Sequence, residues 1–125
     1  LEAACEELGL ADRITVVVAR AEDAARDPRW RGSVDLVVAR GFAAPAPTAE
    51  CAVGFLQPGG RLVVSEPPGG DPGRWDPAGL ARLGLTGPAV TQGGGATAAA
   101  FVLAGEVDQR WPRRTGVPAH RPLWR

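Results

Sequence analysis

At 125 residues the chain has room for one domain and one hydrophobic core. A hydrophobic fraction of 45% excludes wholesale disorder, and fourteen basic residues against fourteen acidic ones exclude a global pull toward nucleic acid or anionic lipid. No apolar run nears the ~20 residues of a membrane span and no secretory leader is visible, so a cytoplasmic protein is expected.

In chain order, Leu1, Ala4, Cys5 and Leu8 fall at helical spacing, with Gly9 as the stop. RITVVVAR (Arg13–Arg20) is continuously apolar through Ile14–Ala19, which predicts a strand buried on both faces of a parallel sheet. AEDAARDPRW predicts a short helix that breaks before Pro28, and VDLVVAR (Val34–Arg40) a second buried strand. A helix is expected over Pro47–Leu56, followed by a tight Pro-Gly-Gly turn and a strand over Arg61–Ser65. Pro67–Trp75 has the composition of a loop. Asp76 as N-cap and Pro77 at the first helical position start a helix to about Leu83. TGPAVTQ and TAAAFVLAGEV close the chain's regular part as an antiparallel pair turning at Gly93–Gly95. Cys5 and Cys51 lie in alanine-rich helical contexts and are expected to be buried small side chains rather than a disulfide or a metal site.

Alternating strands and helices predict an α/β layered sheet. In such sheets ligands sit beyond the carboxyl ends of the strands. Three ends are candidates: Arg20-Ala21-Glu22-Asp23, Ala39-Arg40-Gly41-Phe42 and Ser65-Glu66-Pro67-Pro68. Each has a plainer reading. Glu22 and Asp23 open a helix, where the dipole alone favours carboxylates by ~0.3–1 kcal/mol; Arg40 and Glu66 are compatible with ordinary surface roles. Positions 106–125 stand apart as a tail with five arginines against Glu106 and Asp108, two tryptophans and three prolines, and no apolar periodicity.

RAED after a buried strand, DLVVARGF after the next, LQPGGRLVVSE after a helix, and the ending WPRRTGVPAHRPL together resemble the bacterial 16S ribosomal RNA guanine (7-methylguanosine) methyltransferase family, also called the glucose-inhibited division protein B family. The tail is the most specific of these. The resemblance implies a class I methyltransferase-type Rossmann-like sheet, mostly parallel with a C-terminal antiparallel hairpin and lacking its N-terminal strands. It implies S-adenosyl-L-methionine as cofactor, 16S rRNA or the small ribosomal subunit as partner, and no metal. Ala21 and Glu22 would then meet the adenosine part of the cofactor. Arg40 would line the pocket and bond a carboxylate or phosphate, and Arg113 and Arg114 would contact rRNA phosphates. The alternative for the last two is a tail folded back on acids of its own domain.

The family's glycine-rich cofactor loop and its ribose-gripping acid are not in this sequence. Leu1 falls in what would be the helix after that acid, so residues 1–105 read as a partial methyltransferase domain and 106–125 as a basic Arg/Pro-rich tail. Glu66 and His120 stand where many relatives carry a basic residue. Methyl transfer to a ring nitrogen needs positioning more than a base, so the single histidine is no objection. Two other readings stay open: an inactive paralogue that binds RNA or a protein, and a small-molecule methyltransferase on the same scaffold.

Overall fold

The structure, a computed structural model, describes residues 1–69 and 71–125. Its elements are α1 (Glu2–Glu7), α2 (Ala21–Arg26), β1 (Val34–Ala39), α3 (Pro45–Val53), β2 (Leu56–Glu66), α4 (Pro77–Leu83), β3 (Leu85–Gly93), β4 (Ala96–Leu103) and α5 (Val117–His120), with a 3-10 turn at Pro72–Arg74. Locally encoded signals act where the sequence puts them. The Asp76 carboxylate accepts from the Gly79 N–H at 2.9 Å and caps α4 behind Pro77. Gly84, left-handed at φ 81°, ends that helix, and β3 and β4 turn through Gly94 and Gly95. The Pro-Gly-Gly signal persists as a bulge inside β2: Val34 pairs with Leu56 and Leu36 with Arg61, so 57–60 loop out between them.

The sheet runs in the order β1-β2-β4-β3. β1 and β2 are parallel, joined through α3, while β2–β4 and β3–β4 are antiparallel. Side chains alternate across the pleat, so register decides burial. Leu62 opposite Phe101, Val64 opposite Ala99, and Leu85 opposite Leu103 line one face and are buried. Against that face pack α3 and α4, with Trp75, Leu80, Leu83 and Trp111 completing the core. On the other face Leu36 and Val38 remain exposed, Val38 at 70%.

One expected strand does not form. Arg13–Arg20 is not hydrogen-bonded into the sheet, and Val18 is 96% exposed. A doubly buried strand needs a neighbour on each side; among the described residues β1 pairs only with β2, and no strand pairs with the 14–18 segment. The parallel part of the sheet is accordingly a single pair. The helix expected over Pro47–Leu56 starts earlier, at Pro45, and stops at Val53 because Leu56 is taken into β2.

The tail is part of the packed body. A Cβ on Gly54 would stand 2.7 Å from Pro112 Cδ, and one on Gly79 would stand 2.3 Å from Trp124 Cε3. Both distances are too short for any side chain, so glycine lets the tail lie directly on α3 and α4. Among the described residues no helix is long and apolar enough to cross a membrane.

Candidate functional site

Every residue of α3 from Ala46 to Val53 is buried, including Glu50. Such a carboxylate needs a counter-charge, and the tail brings one. Arg113 donates to Glu50 from its backbone N–H at 2.7 Å, from Nε at 3.0 and 3.3 Å, and from Nη2 at 2.7 Å. Nη2 also reaches the Arg121 carbonyl at 2.8 Å, closing the tail on itself around α5. Two arginines of the body hold the same strand of tail from the other side. Arg26 Nη1 donates to Pro112 O at 2.7 Å, and Arg31 donates to Trp111 O at 2.9 Å and Asp108 O at 3.3 Å. Trp111 is buried, its Nε1 donating to Arg82 O at 3.1 Å, with the guanidinium groups of Arg110, Arg82 and Arg113 4.9–5.9 Å from its ring.

The acids at the start of α2 are used in the same way. Glu22 is buried and accepts from the Gly116 N–H and from Arg20 Nη2, both at 3.0 Å. Asp23 accepts from the Thr115 hydroxyl. Burial alone would raise the Glu22 carboxyl. Hydrogen bonds from Arg20, from its own backbone N–H and from Gly116 outweigh that, and hold it below its ordinary 4.5.

Docking the tail here closes a pocket of about 330 Å³. Its floor is Ala19, Arg20, Ala21 and Glu22; Phe42, Ala43, Pro47 and Cys51 form one wall, and Pro118 and Ala119 of α5 the other. A second, apolar cavity of about 140 Å³ adjoins it and shares Ala21, Phe42 and Cys51 while reaching Val37 and Ala39 of β1. The Cys51 thiol is pushed up to about 12, first by burial and then by the charges of Glu22 and Glu50, so it stays protonated and serves as wall, not nucleophile.

Of the residues singled out in the sequence, Ala21 and Glu22 line this pocket, and Glu22 Oε1 already accepts from Arg20 and from Gly116 of the tail. Arg40 is exposed at the end of β1, on the same rim as Glu66 at the end of the parallel β2. Arg113 and Arg114 part company. Arg113 is bound to buried Glu50 and Arg114 is exposed, and both line a cleft of about 600 Å³ that also holds Thr115, Gly116, Val117, His120 and Arg121. Phe42 belongs to the second strand end singled out in the sequence; Pro118 and Ala119, which carry no chemical signal of their own, were missed. The sequence reading also missed Glu50, which does carry one: it is the lone acid in the apolar stretch Pro45–Val53. Among the described residues no cluster of three or more His, Cys, Asp or Glu could hold a metal ion.

No family model matches the chain. Individual proteins do. A ribosomal RNA small subunit methyltransferase G of Deinococcus deserti is 35% identical over 99% of this chain and 53% of its own length. One of Moorella thermoacetica is 34% identical over 98% of this chain and 54% of its own. The chain thus spans about half the length of the curated relatives it matches. Among solved structures, the T. thermophilus 16S rRNA N2 G1207 methyltransferase, determined in complex with AdoMet and guanosine, superposes with a TM-score of 0.52 at 23% identity, covering 85% of this chain and 28% of that one. That likeness shows the α/β fold.

Two outcomes follow from the docked tail. Arg113→Ala leaves Glu50 buried without its counter-charge and should lower stability by about 3–5 kcal/mol in denaturant unfolding, far beyond an exposed arginine's effect. Because Glu22 titrates lower folded than unfolded, its contribution is full above pH 4.5 and is lost as pH falls through the folded value. Glu22→Gln should therefore flatten the acid limb of the stability–pH curve while leaving the alkaline limb unchanged.

Proposed function

We propose, with the chain's kinship to the small-subunit ribosomal RNA methyltransferase G family as premise, that it forms the carboxyl-terminal half of an S-adenosylmethionine-dependent ribosomal RNA methyltransferase. The observation that carries this reading is the pocket at the end of β1, where Ala21 and Glu22 face Phe42 and the tail residues Pro118 and Ala119. A pocket with apolar side chains of Phe42, Ala43, Pro47 and Pro118 on its walls and the opening turn of α2 at one edge suits an adenine ring. The fit is partial: the apolar side chains suit the ring, while Arg20, the arginine in the pocket's lining, is bonded to Glu22, and Arg40 lies outside that lining. When bound, S-adenosylmethionine supplies an electrophilic methyl group. The chain's own residues orient the two reactants, exclude water with Phe42 and α5, and need not remove a proton from a ring nitrogen whose lone pair is already nucleophilic.

On the substrate side, Arg114, His120 and Arg121 face outward around the tail cleft and would meet RNA phosphates, with the tail (106–125) as the RNA-facing arm of the catalytic body (1–105). Arg113 lines the same cleft with its guanidinium bonded to Glu50, so its first role is to hold the tail. This reading places the protein with the small ribosomal subunit, in the cytoplasm.

The test joins this chain to the amino-terminal half of the Deinococcus deserti relative and follows label from methyl-tritiated S-adenosylmethionine into 16S rRNA. Incorporation is expected from the joined protein, with weak or no cofactor binding by calorimetry for the chain alone. Cofactor binding without methylation of RNA would point to a small-molecule substrate, and neither would leave an RNA- or protein-binding paralogue. In RNA binding, Arg114→Ala should reduce the slope of log K against log salt by about 0.7–0.9, the value of one lost phosphate contact.

A further inference from the structure

The guanidinium groups of Arg26, Arg31, Arg82, Arg110 and Arg113 gather on Trp111 and Pro112. Those of Arg82, Arg110 and Arg113 lie over the buried indole, 5.5, 4.9 and 5.9 Å from its ring centre. Arg26 and Arg31 donate to the carbonyls of Pro112 and Trp111. The fold accounts for part of this. Arg26, Arg31 and Arg113 make the bonds that hold the tail, and Arg26 and Arg82 each stand in the last turn of a helix, where the dipole favours a cation. The gathered charge is not accounted for. Among the described residues Glu50 pairs with Arg113, and Asp108 pairs with Arg110 at 3.5 Å, an exposed pair that contributes little. The remaining ion pairs of the described residues belong to Arg20, Arg29 and Arg74, so none relieves Arg26, Arg31 or Arg82. Arg26, Arg82 and Arg110 are all exposed. Like charges gathered this closely repel one another, and an anion from outside removes the repulsion.

We infer that this cluster is a docking surface for the sugar-phosphate backbone of folded RNA, separate from both the pocket and the tail cleft. A guanidinium laid over an indole has its fork oriented before the partner arrives, and its N–H edges stay free for phosphate oxygens. Three elements supply the exposed members: α2 gives Arg26, α4 gives Arg82 and the tail gives Arg110. Contacts of this kind hold and orient a nucleic acid without reading its sequence. The place in the fold separates this surface from the chemistry. Ala21 and Glu22 line the pocket from the first turn of α2, whereas Arg26 closes that helix, about 7 Å further along its axis at 1.5 Å per residue. Pro112 lies on Gly54, just ahead of β2, so the cluster belongs to the end of the sheet where the parallel strands begin and not to the rim where they finish. RNA gripped here is held at a distance from the nucleotide that reacts. The choice of RNA as the anion rests on the methyltransferase reading; the test uses neither cofactor nor methylation.

The test titrates the chain into an end-labelled RNA hairpin of arbitrary sequence and follows anisotropy over a series of salt concentrations. Arg82→Gln and Arg110→Gln should each lower the slope of log K against log salt by about 0.7–0.9, one phosphate contact apiece. Arg82→Lys with Arg110→Lys keeps the charge and should keep the slope. A variant that only loosens the tail binds more weakly at every salt concentration with its slope unchanged, so a structural role and a phosphate contact give different results. An unchanged slope in both glutamine variants overturns the inference, and so does a slope that the lysine pair fails to keep. Polyglutamate is the second titrant. If it binds as tightly as the hairpin and loses as much affinity in the glutamine variants, the surface serves an acidic protein and the inference is overturned. A slope lowered by Arg114→Ala but by neither Arg82→Gln nor Arg110→Gln sinks this inference alone. A chain that binds no RNA sinks it together with the RNA side of the functional reading.

Discussion

The fold of this chain depends on one ion pair, Glu50 with Arg113. Taking a carboxylate out of water costs several kcal/mol, and α3 gives Glu50 no solvent at all. The charge is tolerable only if a cation comes to it with good geometry. Arg113 does, through its guanidinium fork and its own backbone N–H. Charge-assisted bonds contribute about 1.5–3 kcal/mol each, so together they offset a desolvation of that size, whereas a solvent-exposed pair such as Arg29–Asp27 contributes little. The rest of the tail follows from that fixed point: Trp111 falls into the core two residues before it, and Gly116 reaches Glu22 three residues after.

The docked tail has two faces with different work. Inward, Pro118 and Ala119 close the pocket over Ala21 and Glu22. Outward, Arg114, His120 and Arg121 surround an open cleft. A neutral total charge conceals this division: Glu50 of α3 takes up Arg113, and Glu22 and Asp23 of α2 accept from Gly116 and Thr115, while Arg114, His120 and Arg121 stand around the cleft outside the pocket. Both faces are built on the same short element, α5.

What the sequence reveals, and what it withholds, divides by range. The Asp76–Pro77 start of α4 and the glycine turn between β3 and β4 are written in a few adjacent residues, the turn narrowing from the expected Gly93–Gly95 to Gly94 and Gly95 because Gly93 is paired in β3. The inner-face row of β2 and β4 is legible from alternation and composition. Arg13–Arg20 is not: its β-branched run states a preference for burial on two sides, but a strand exists only where neighbours offer hydrogen bonds, and local sequence does not say whether they do. Ala21 and Glu22 could be placed at the pocket through resemblance, yet nothing local shows that the Glu22 carboxylate is occupied by Gly116, ninety-four residues on. Arg113 and Arg114 are adjacent and identical in kind, and only packing separates the structural one from the exposed one. A lone acid in an apolar helix was the available clue, since it demands a partner from the arginine-rich segment.

The central claim, that the tail is part of the cooperative core through Glu50, is most directly tested by native-state amide hydrogen exchange at Arg113. Its N–H points at a buried carboxylate, and the account predicts that it exchanges only through global opening, with the same free energy as the Phe101 amide in the centre of β4. Exchange at Arg113 as fast as at exposed Arg114, with Phe101 still protected, would show a tail that lifts away from an intact body and would contradict the account.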